Sequence, residues 1–200
     1  MATIALPEGA KFRNLRWTHR TPAQANRSIW TSKRQVVGLP GATMWMAEGE
    51  FVAIVGERNQ RPLRSFWMQL RGIQNSFRVP ATEGPQFNLS IAPKVNGGGQ
   101  TAALTGTLAT DGWHPNMQML EGNLLTIAGQ LVVLIAPFVA SAAGEATIAF
   151  APGLRSVPAD NADIEAVRPW CEMTLAEPMV AWTVEPGQVY SQSVSLEELV

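Results

Sequence analysis

The sequence predicts a mainly β fold, with one packed α-helix and a small β-barrel inserted into the main domain. Three patterns predict this fold. Residues alternate at period two after Gly41, apolar residues follow a helical spacing after Pro62, and short apolar segments are separated by turn residues beyond Ala81. Hydrophobic residues make up 46% of the 200 residues and charged residues 16%, which is sufficient for packed cores.

Residues 41–77 contain the central elements of the predicted main domain. The segment from Met44 to Val55 is long enough to cross a small sheet, and Gly56 ends it. The two-residue period of a strand places four side chains on one face: Trp45, Phe51, Ala53 and Val55.

A helix follows this central strand. Pro62 fits its first turn, where a missing N–H is tolerated, and Gly72 supplies the C-cap. Four apolar residues repeat at the spacing of a buried helix face: Leu63, Phe66, Trp67 and Leu70. Met68 lies about 140° from Leu63 around the helix and points away from that face. It is either a lone exposed methionine or a residue that a second surface covers.

A β-hairpin is predicted before the central strand. Residues 28–37 have the composition of a strand, and residues 38–41 form a turn into the strand that begins at Met44. Residues 1–28 show little periodicity and predict an irregular or edge-strand start that contains Trp17.

The chain is predicted to form two domains, one inserted into the other. Residues 1–80 and 161–200 form the main domain and residues 81–160 the inserted barrel, since the chain ends of a domain commonly lie near one another. The turn Asp111–Gly112 precedes Trp113, an aromatic anchor. Strands are predicted within residues 101–110, 124–127, 131–138, 146–150, 162–167, 171–175, 179–184 and 188–196.

Composition and motifs exclude several classes of function. With 15 basic and 16 acidic residues the chain lacks the charge of a nucleic-acid-binding domain. The single cysteine, Cys171, excludes an internal disulfide framework and a cysteine-based zinc site. His19 and His114 have no metal-ligand spacing and predict structural histidines. We therefore expect neither a metal nor a cofactor.

No catalytic arrangement is predicted, and we expect that the protein is not an enzyme. The sequence has no Gly-x-Ser-x-Gly motif, and its run of three glycines is not followed by the lysine of a phosphate-binding loop. Three carboxylates offer a glycosidase pair in principle, but each stands next to a turn glycine or in a turn: Asp111, Glu121 and Glu145.

The sequence predicts neither a signal peptide nor a membrane span. Its first 12 residues lack a basic start followed by a long apolar core. Residues 124–144 carry no charge and reach the length of a transmembrane helix, but Gly129 and Pro137 interrupt them. Two buried strands joined by a turn at residues 128–130 are predicted instead.

An ordered set of motifs covers most of residues 28–196. In chain order the motifs are Ser28–Ser32, Gly41 with Trp45, Leu70–Gly72 before Phe77, Val95–Gln100, Asp111–Trp113, the hairpin at Gly122, and Ala151–Arg155. In this order they resemble the tail proteins of phages with long non-contractile tails. The sequence departs from the family pattern at Ser32–Lys33, where a glycine is expected.

The resemblance is to siphophage tail-tip proteins of the distal tail protein or minor tail protein family. It implies a tail-tube-like β-sandwich or barrel with an inserted small OB-like barrel. It also implies a homohexameric ring that joins the tail tube protein to the baseplate hub, near the tape measure protein, while DNA passes through the channel without specific binding. The protein would be made in the host bacterial cytoplasm and located in the virion tail tip, with no membrane insertion.

Two sets of residues are candidates for contacts. Subunit or partner contacts are expected at Lys33, Arg34 and Gly38 on the hairpin and at Met68 on the helix; for each, a solvated surface is the alternative. A second function, binding of a saccharide receptor by the inserted barrel, would use Trp113 as a stacking platform. The alternative for Trp113 is that it fills the end of the barrel.

Overall fold

A computed structural model describes residues 1–39, 41–88 and 90–199. It confirms the mainly β class, with 42% of residues in strands and 10% in helices. The one α-helix of the described residues, α1, spans Glu57–Leu70, and a short 3-10 helix spans Thr101–Thr105. In this part of the chain, no helix has both the length and the apolar composition needed to cross a membrane.

Eighteen strands are assigned within the described residues. In chain order they are β1 (Phe12–Arg20), β2 (Ala23–Arg27), β3 (Arg34–Gly38), β4 (Met44–Phe51), β5 (Ile54–Val55), β6 (Phe77–Pro80), β7 (Lys94–Val95), β8 (Thr107–Asp111), β9 (Gln118–Met119), β10 (Leu124–Ile127), β11 (Gln130–Leu134), β12 (Phe138–Val139), β13 (Ala146–Ala151), β14 (Ile164–Glu165), β15 (Trp170–Leu175), β16 (Thr183–Glu185), β17 (Val189–Ser191) and β18 (Ser193–Glu198).

The chain forms two compact units. The first consists of Met1–Arg20, Met44–Val79 and Glu172–Val200, and the second of Thr21–Thr43 and Pro80–Cys171. The second boundary differs from the predicted position at residue 160, because β14 pairs with β10 and extends the barrel sheet. Residues 21–43, predicted within the main domain, group with the barrel segment.

The core of the first unit lies between α1 and a five-stranded sheet of order β1-β4-β18-β15-β6. The predicted helix face is buried: Leu63, Phe66, Trp67 and Leu70 are each at most 2% exposed. Trp67 contacts Phe51 of β4 edge-to-face, with 5.6 Å between ring centroids, and Phe66 contacts Phe77 of β6 at 5.2 Å. Each buried side chain of this kind contributes about 1.5–3 kcal/mol. The sequence predicted either an irregular segment or an edge strand around Trp17. The structure has an edge strand there, β1.

The helix is longer than predicted. It begins at Glu57, so Pro62 lies inside it rather than in its first turn. Proline at this position leaves the carbonyl of Arg58 without the usual N–H donor. At the other end Arg71 adopts a left-handed conformation with φ 50°, followed by Gly72 with φ 66°, so the cap begins one residue before the predicted glycine.

The central strand is shorter than predicted. It ends at Phe51, and Ile54–Val55 pairs with β17 in a separate three-stranded sheet. The prediction that Ala53 and Val55 share a face with Trp45 in one strand is therefore wrong. Period-two alternation does not show where a strand changes sheets, because the residue types on both sides of the break favour β-structure.

The second unit contains a nearly closed, barrel-like sheet of order β14-β10-β11-β13-β8-β7. A bridge between Lys94 and Asp163 connects its two end strands, and the N–H of Ile164 donates to the carbonyl of Pro93 at 2.9 Å. The predicted hairpin of the uncharged segment is confirmed as β10 and β11, with Ala128 and Gly129 at positive φ in the turn. The interior of the barrel-like sheet is a cluster of buried apolar residues that includes Leu108, Ile148 and Phe150.

Three other predicted strands differ from the structure. Residues 101–105 form the 3-10 helix, and only the following residues form β8. Most of residues 179–184 lie outside strands, with β16 beginning at Thr183. The last predicted strand is divided at Gln192 into β17 and β18, which belong to different sheets.

Candidate functional site

Strands β2 and β3 form a hairpin that contains three of the predicted contact residues. The register pairs Ala23 with Gly38 and Arg27 with Arg34. The prediction that residues 28–37 form a strand paired with the Met44 strand is therefore wrong, since β3 pairs with the preceding β2. Composition identifies a strand but not its partner, and the preceding Ala23–Arg27 segment has weak strand propensity.

The loop Ser28–Lys33 closes this hairpin. The N–H of Ser28 donates to the carbonyl of Lys33 at 3.0 Å, and the Ser28 hydroxyl accepts from the N–H of Thr31 at 3.2 Å. Ser32 adopts the left-handed region with φ 55°. Glycine would fit this position without strain, because it adopts a positive φ readily.

Every strand residue of the hairpin is exposed. The loop presents the two most exposed large apolar side chains of the described residues, Ile29 at 93% and Trp30 at 94%. An isolated two-stranded hairpin is marginally stable in water, because it buries little apolar surface. The hairpin tip, defined as Ile29 and Trp30, therefore presents apolar surface that the chain does not itself bury.

The hairpin is also strongly basic. Residues 21–43 contain three basic residues, Arg27, Lys33 and Arg34, and no acidic residue. Arg27 and Arg34 are directly opposite in the register, and like charges in that arrangement destabilise a strand pair. None of the three forms an ion pair with another described residue. Together with Asn26, Ser28 and Gln35 they line an open concave surface.

Gly38 ends β3 and leaves open space where a Cβ would stand. Its φ lies outside the left-handed region, so the structure gives it no conformational requirement for glycine. Lys33, Arg34 and Gly38 thus share one hairpin, with the two basic residues at the loop end and Gly38 at the opposite end.

Met68 lies on the outward face of α1, as predicted, with 60% of its surface exposed. It belongs to the first compact unit, unlike the hairpin residues. The segment 178–182 runs beside the same helix: Pro178 packs against Gly72, and the Trp182 ring lies 6.0 Å from the Arg64 guanidinium. Met179 in this segment is 71% exposed. Sequence reasoning missed this neighbour, because an irregular segment has no periodicity to identify it.

A polar cluster joins the start of α1 to β17. Arg64 donates two hydrogen bonds to the Glu57 carboxylate at 3.0 and 2.9 Å, and the Tyr190 hydroxyl donates a third at 2.7 Å. The hydrogen bonds from Arg64 and then from Tyr190 lower the pKa of the Glu57 carboxyl from its ordinary value. The hydrogen bond to Glu57 in turn raises the pKa of Tyr190. This arrangement connects the start of the helix to β17.

Trp113 is a core residue of the barrel. It is 3% exposed, its ring N–H donates to the Thr110 hydroxyl at 2.7 Å, and its ring packs edge-on against Phe138 at 5.0 Å. The interpretation of Trp113 as a saccharide-stacking platform is therefore wrong, since a platform requires an accessible ring face. The alternative, a tryptophan that fills the barrel, agrees with its burial.

The other chemically active residue types are dispersed. Glu121 and Glu145 are exposed in turns, and Asp111 ends β8 opposite Lys94. Burial lowers the pKa of His19, which packs on Trp45 at 4.6 Å, whereas the charge of Glu198 raises it to a smaller extent. Cys171 is buried. Within residues 1–39, 41–88 and 90–199, no group of three or more His, Cys, Asp or Glu side chains is placed to hold a metal ion.

No protein-family model matches this chain, and no curated protein matches it. The functional proposal therefore depends on the surfaces described above and on the resemblance of the sequence motifs to phage tail proteins.

Proposed function

We propose that this protein is a structural component of a long non-contractile phage tail. It would form a ring, with six copies expected, that joins the tail tube to the baseplate hub around the DNA channel, in the manner of distal tail proteins. In this proposal the first unit is a tail-tube-like β-sandwich and the inserted barrel is OB-like. The observation that carries the proposal is the exposed hairpin of β2 and β3.

The hairpin supports an assembly function because it has features of an interface and few of a stable monomer surface. Apolar anchors surrounded by charged groups are typical of the centre and rim of protein interfaces. Trp30 and Ile29 supply the apolar anchors, and Arg27, Lys33 and Arg34 the charges. A ribbon without buried residues is expected to become well ordered when a partner covers it.

The polar face of the five-stranded sheet supports the channel part of the proposal. Glu48 and Glu50 of β4 point away from the core, opposite Ser195 and Ser193 of β18. Carboxylates repel the phosphates of DNA, and hydroxyls offer no net charge to hold it. Such a face suits a wall along which DNA passes without specific binding, although Arg16 is placed 3.9 Å from Glu48 on the same surface.

The second candidate function, saccharide binding by the barrel, has lost the residue on which it depended. Trp113 is buried in the barrel core, and no other observation favours a saccharide site. We therefore retain the ring proposal alone.

Light scattering of the purified protein, alone and mixed with its tail tube protein, tests this proposal. A mass of about six chains in either condition is the expected result. The variant Met68→Asp should reduce the assembled fraction and lower the free energy of unfolding by only about 1 kcal/mol, because the side chain is 60% exposed although aspartate is unfavourable in the last turn of a helix.

The matched control is Leu104→Asp, which also replaces an exposed apolar residue with aspartate; Leu104 is a barrel residue that is 44% exposed and has no proposed contact. A protein that remains monomeric at all concentrations, with and without the tube protein, would overturn the ring. An assembly that Met68→Asp does not weaken would remove the helix surface from the interface.

A further inference from the structure

The barrel carries an exposed apolar surface beside the β9–β12 ribbon. The register pairs Met119 with Phe138 and Gln118 with Val139. Because side chains alternate across a strand, Met119 and Phe138 face the core while the neighbouring residues face outward. We define the β9–β12 patch as three exposed apolar residues near this ribbon: Leu120 at 56%, Ile135 at 61% and Val139 at 61%.

Backbone hydrogen bonds hold the segments of this patch together. The N–H of Gly122 donates to the carbonyl of Leu134, and the N–H of Leu134 donates to the carbonyl of Asn123, both at 2.8 Å. The turn that follows Leu120 therefore lies beside Ile135. Strand β12, which carries Val139, pairs with the strand that precedes Leu120.

Two acidic residues lie on the chain segments that flank the patch. Glu121 follows Leu120, and Glu145 is held in the turn after β12, where its N–H donates to the Ser141 hydroxyl at 3.0 Å. Both are exposed, and neither forms an ion pair with another residue that the structure describes. An exposed apolar patch with unpaired charges at its edge is a typical docking surface.

The charge of the barrel segment is opposite to that of the hairpin. Residues 80–171 contain seven acidic and three basic residues, whereas residues 21–43 contain three basic and no acidic residues. The hairpin has the complementary form, with the two exposed apolar side chains of the hairpin tip and three cations. An acidic partner would also relieve the repulsion between the opposed Arg27 and Arg34.

We propose that the hairpin tip of one copy docks on the β9–β12 patch of a neighbouring copy. In this contact the basic residues of the hairpin lie against Glu121 and Glu145. The contact joins two copies rather than two parts of one chain, because Trp30 and the patch are both exposed within the chain. It joins two different surfaces, so repetition closes a ring when the rotation between copies permits it. This inference rests on the proposed ring and names the surfaces that form it.

Charge reversal with rescue tests the contact. One variant carries Lys33→Glu and Arg34→Glu, and a second carries Glu121→Lys and Glu145→Lys. Sedimentation velocity over a range of concentrations should show that each weakens association at least about tenfold, because each places like charges across the contact. A third variant with all four changes restores opposite charges and should return to within about threefold of the original protein.

The control is Glu83→Lys, compared with Glu121→Lys alone. Both change an exposed acidic residue of the barrel segment, but only Glu121 borders the patch. Circular dichroism melting checks that all variants fold, which is expected for exposed positions.

The possible results separate the two proposals. Rescue by the fourfold variant supports the hairpin–patch contact. If the original protein assembles and both reversal variants associate with the same strength, this contact is overturned. It is also overturned if the fourfold variant does not recover the lost association. The ring proposal remains in either case. An original protein that never assembles, alone or with the tube protein, overturns both.

Discussion

The barrel and the hairpin belong to the same compact unit but use their strands in opposite ways. The barrel connects its end strands through Lys94 and Asp163, so its edge is nearly closed, and it encloses a cluster of buried apolar residues. The hairpin has two strands, buries none of their residues and exposes its most apolar side chains at its tip. The core of the barrel is therefore formed within one chain, whereas the hairpin exposes apolar side chains that the chain itself does not cover.

Two tryptophans of this unit, Trp113 and Trp30, should show the largest contrast. Trp113→Ala removes a buried ring and its hydrogen bond to Thr110, so we expect a loss of about 3–5 kcal/mol in the free energy of unfolding. Trp30→Ala changes a side chain that is 94% exposed, so its effect should stay within about 0.5 kcal/mol. Urea denaturation followed by circular dichroism measures both.

Association should reverse that order. Trp30→Ala is expected to weaken self-association. Folded Trp113→Ala protein should associate as the original protein does, because its hairpin is unchanged. Equal stability losses in the two variants would contradict the comparison, since they would place Trp30 in a core that the structure does not contain.

Replacement of a glycine in the barrel, Gly106, should cause the next largest loss in the free energy of unfolding. Gly106 has φ 92°, and a Cβ there would overlap the carbonyl oxygen of Phe150. Gly106→Ala therefore combines left-handed backbone strain with overpacking, for a loss of about 2–5 kcal/mol. The shift in the urea midpoint measures it.

The control separates strain from overlap. Gly129 has a similar φ of 87° but open space around the Cβ position. Gly129→Ala should lose only about 1–2 kcal/mol from the backbone term. If both variants lost the same amount, the close approach of β13 to Gly106 would have no energetic role.

The smallest effect is expected in the first unit, where the cluster of Glu57, Arg64 and Tyr190 is only partly buried. Its hydrogen bonds lower the folded-state pKa of Glu57 below the ordinary value of 4.5. Its stabilisation is therefore fully present above pH 4.5, and it is lost as the pH falls below 4.5 through the folded-state pKa. Urea midpoints of the original protein and Glu57→Gln, measured from pH 7 to pH 3, should converge in the acid range.

Glu185→Gln is the matched control, because Glu185 is an exposed carboxylate of the same unit in β16. Its stability at pH 7 should differ little from that of the original protein, because the side chain is exposed. A Glu57→Gln difference that does not shrink on acidification would show that the carboxylate does not titrate with a lowered pKa.

The parts of the fold that could be predicted are those with a local sequence signal, either a helical spacing of apolar residues or a turn. The spacing of Leu63, Phe66, Trp67 and Leu70 identified the buried helix face, and the turn at Ala128–Gly129 identified a barrel hairpin. The first and last residues of each element could be predicted less well from the sequence. Pro62 suggested a helix start, although the preceding turn was already helical.

The candidate site shows why the rest could not be predicted. Lys33, Arg34 and Met68 are exposed as expected, but the partner strand of Arg34 depends on a long-range pairing that alternation does not encode. The loop around Ile29 and Trp30 has strand-like composition, and only its hydrogen bonds to Ser28 show that it is a turn. Trp113 follows a turn in the sequence, and nothing local shows that its ring points inward.

The opposed pair Arg27 and Arg34 gives the hairpin an unusual response to ionic strength. Dissolved salt screens the repulsion between them, so the hairpin of the free chain becomes more stable as salt is added. The same ions screen the attraction between the hairpin and any acidic partner, and they do so over about 8 Å at physiological salt. Conditions that best order the isolated hairpin are thus those under which the proposed docking is expected to be weakest, so we expect dilute buffer to favour that docking.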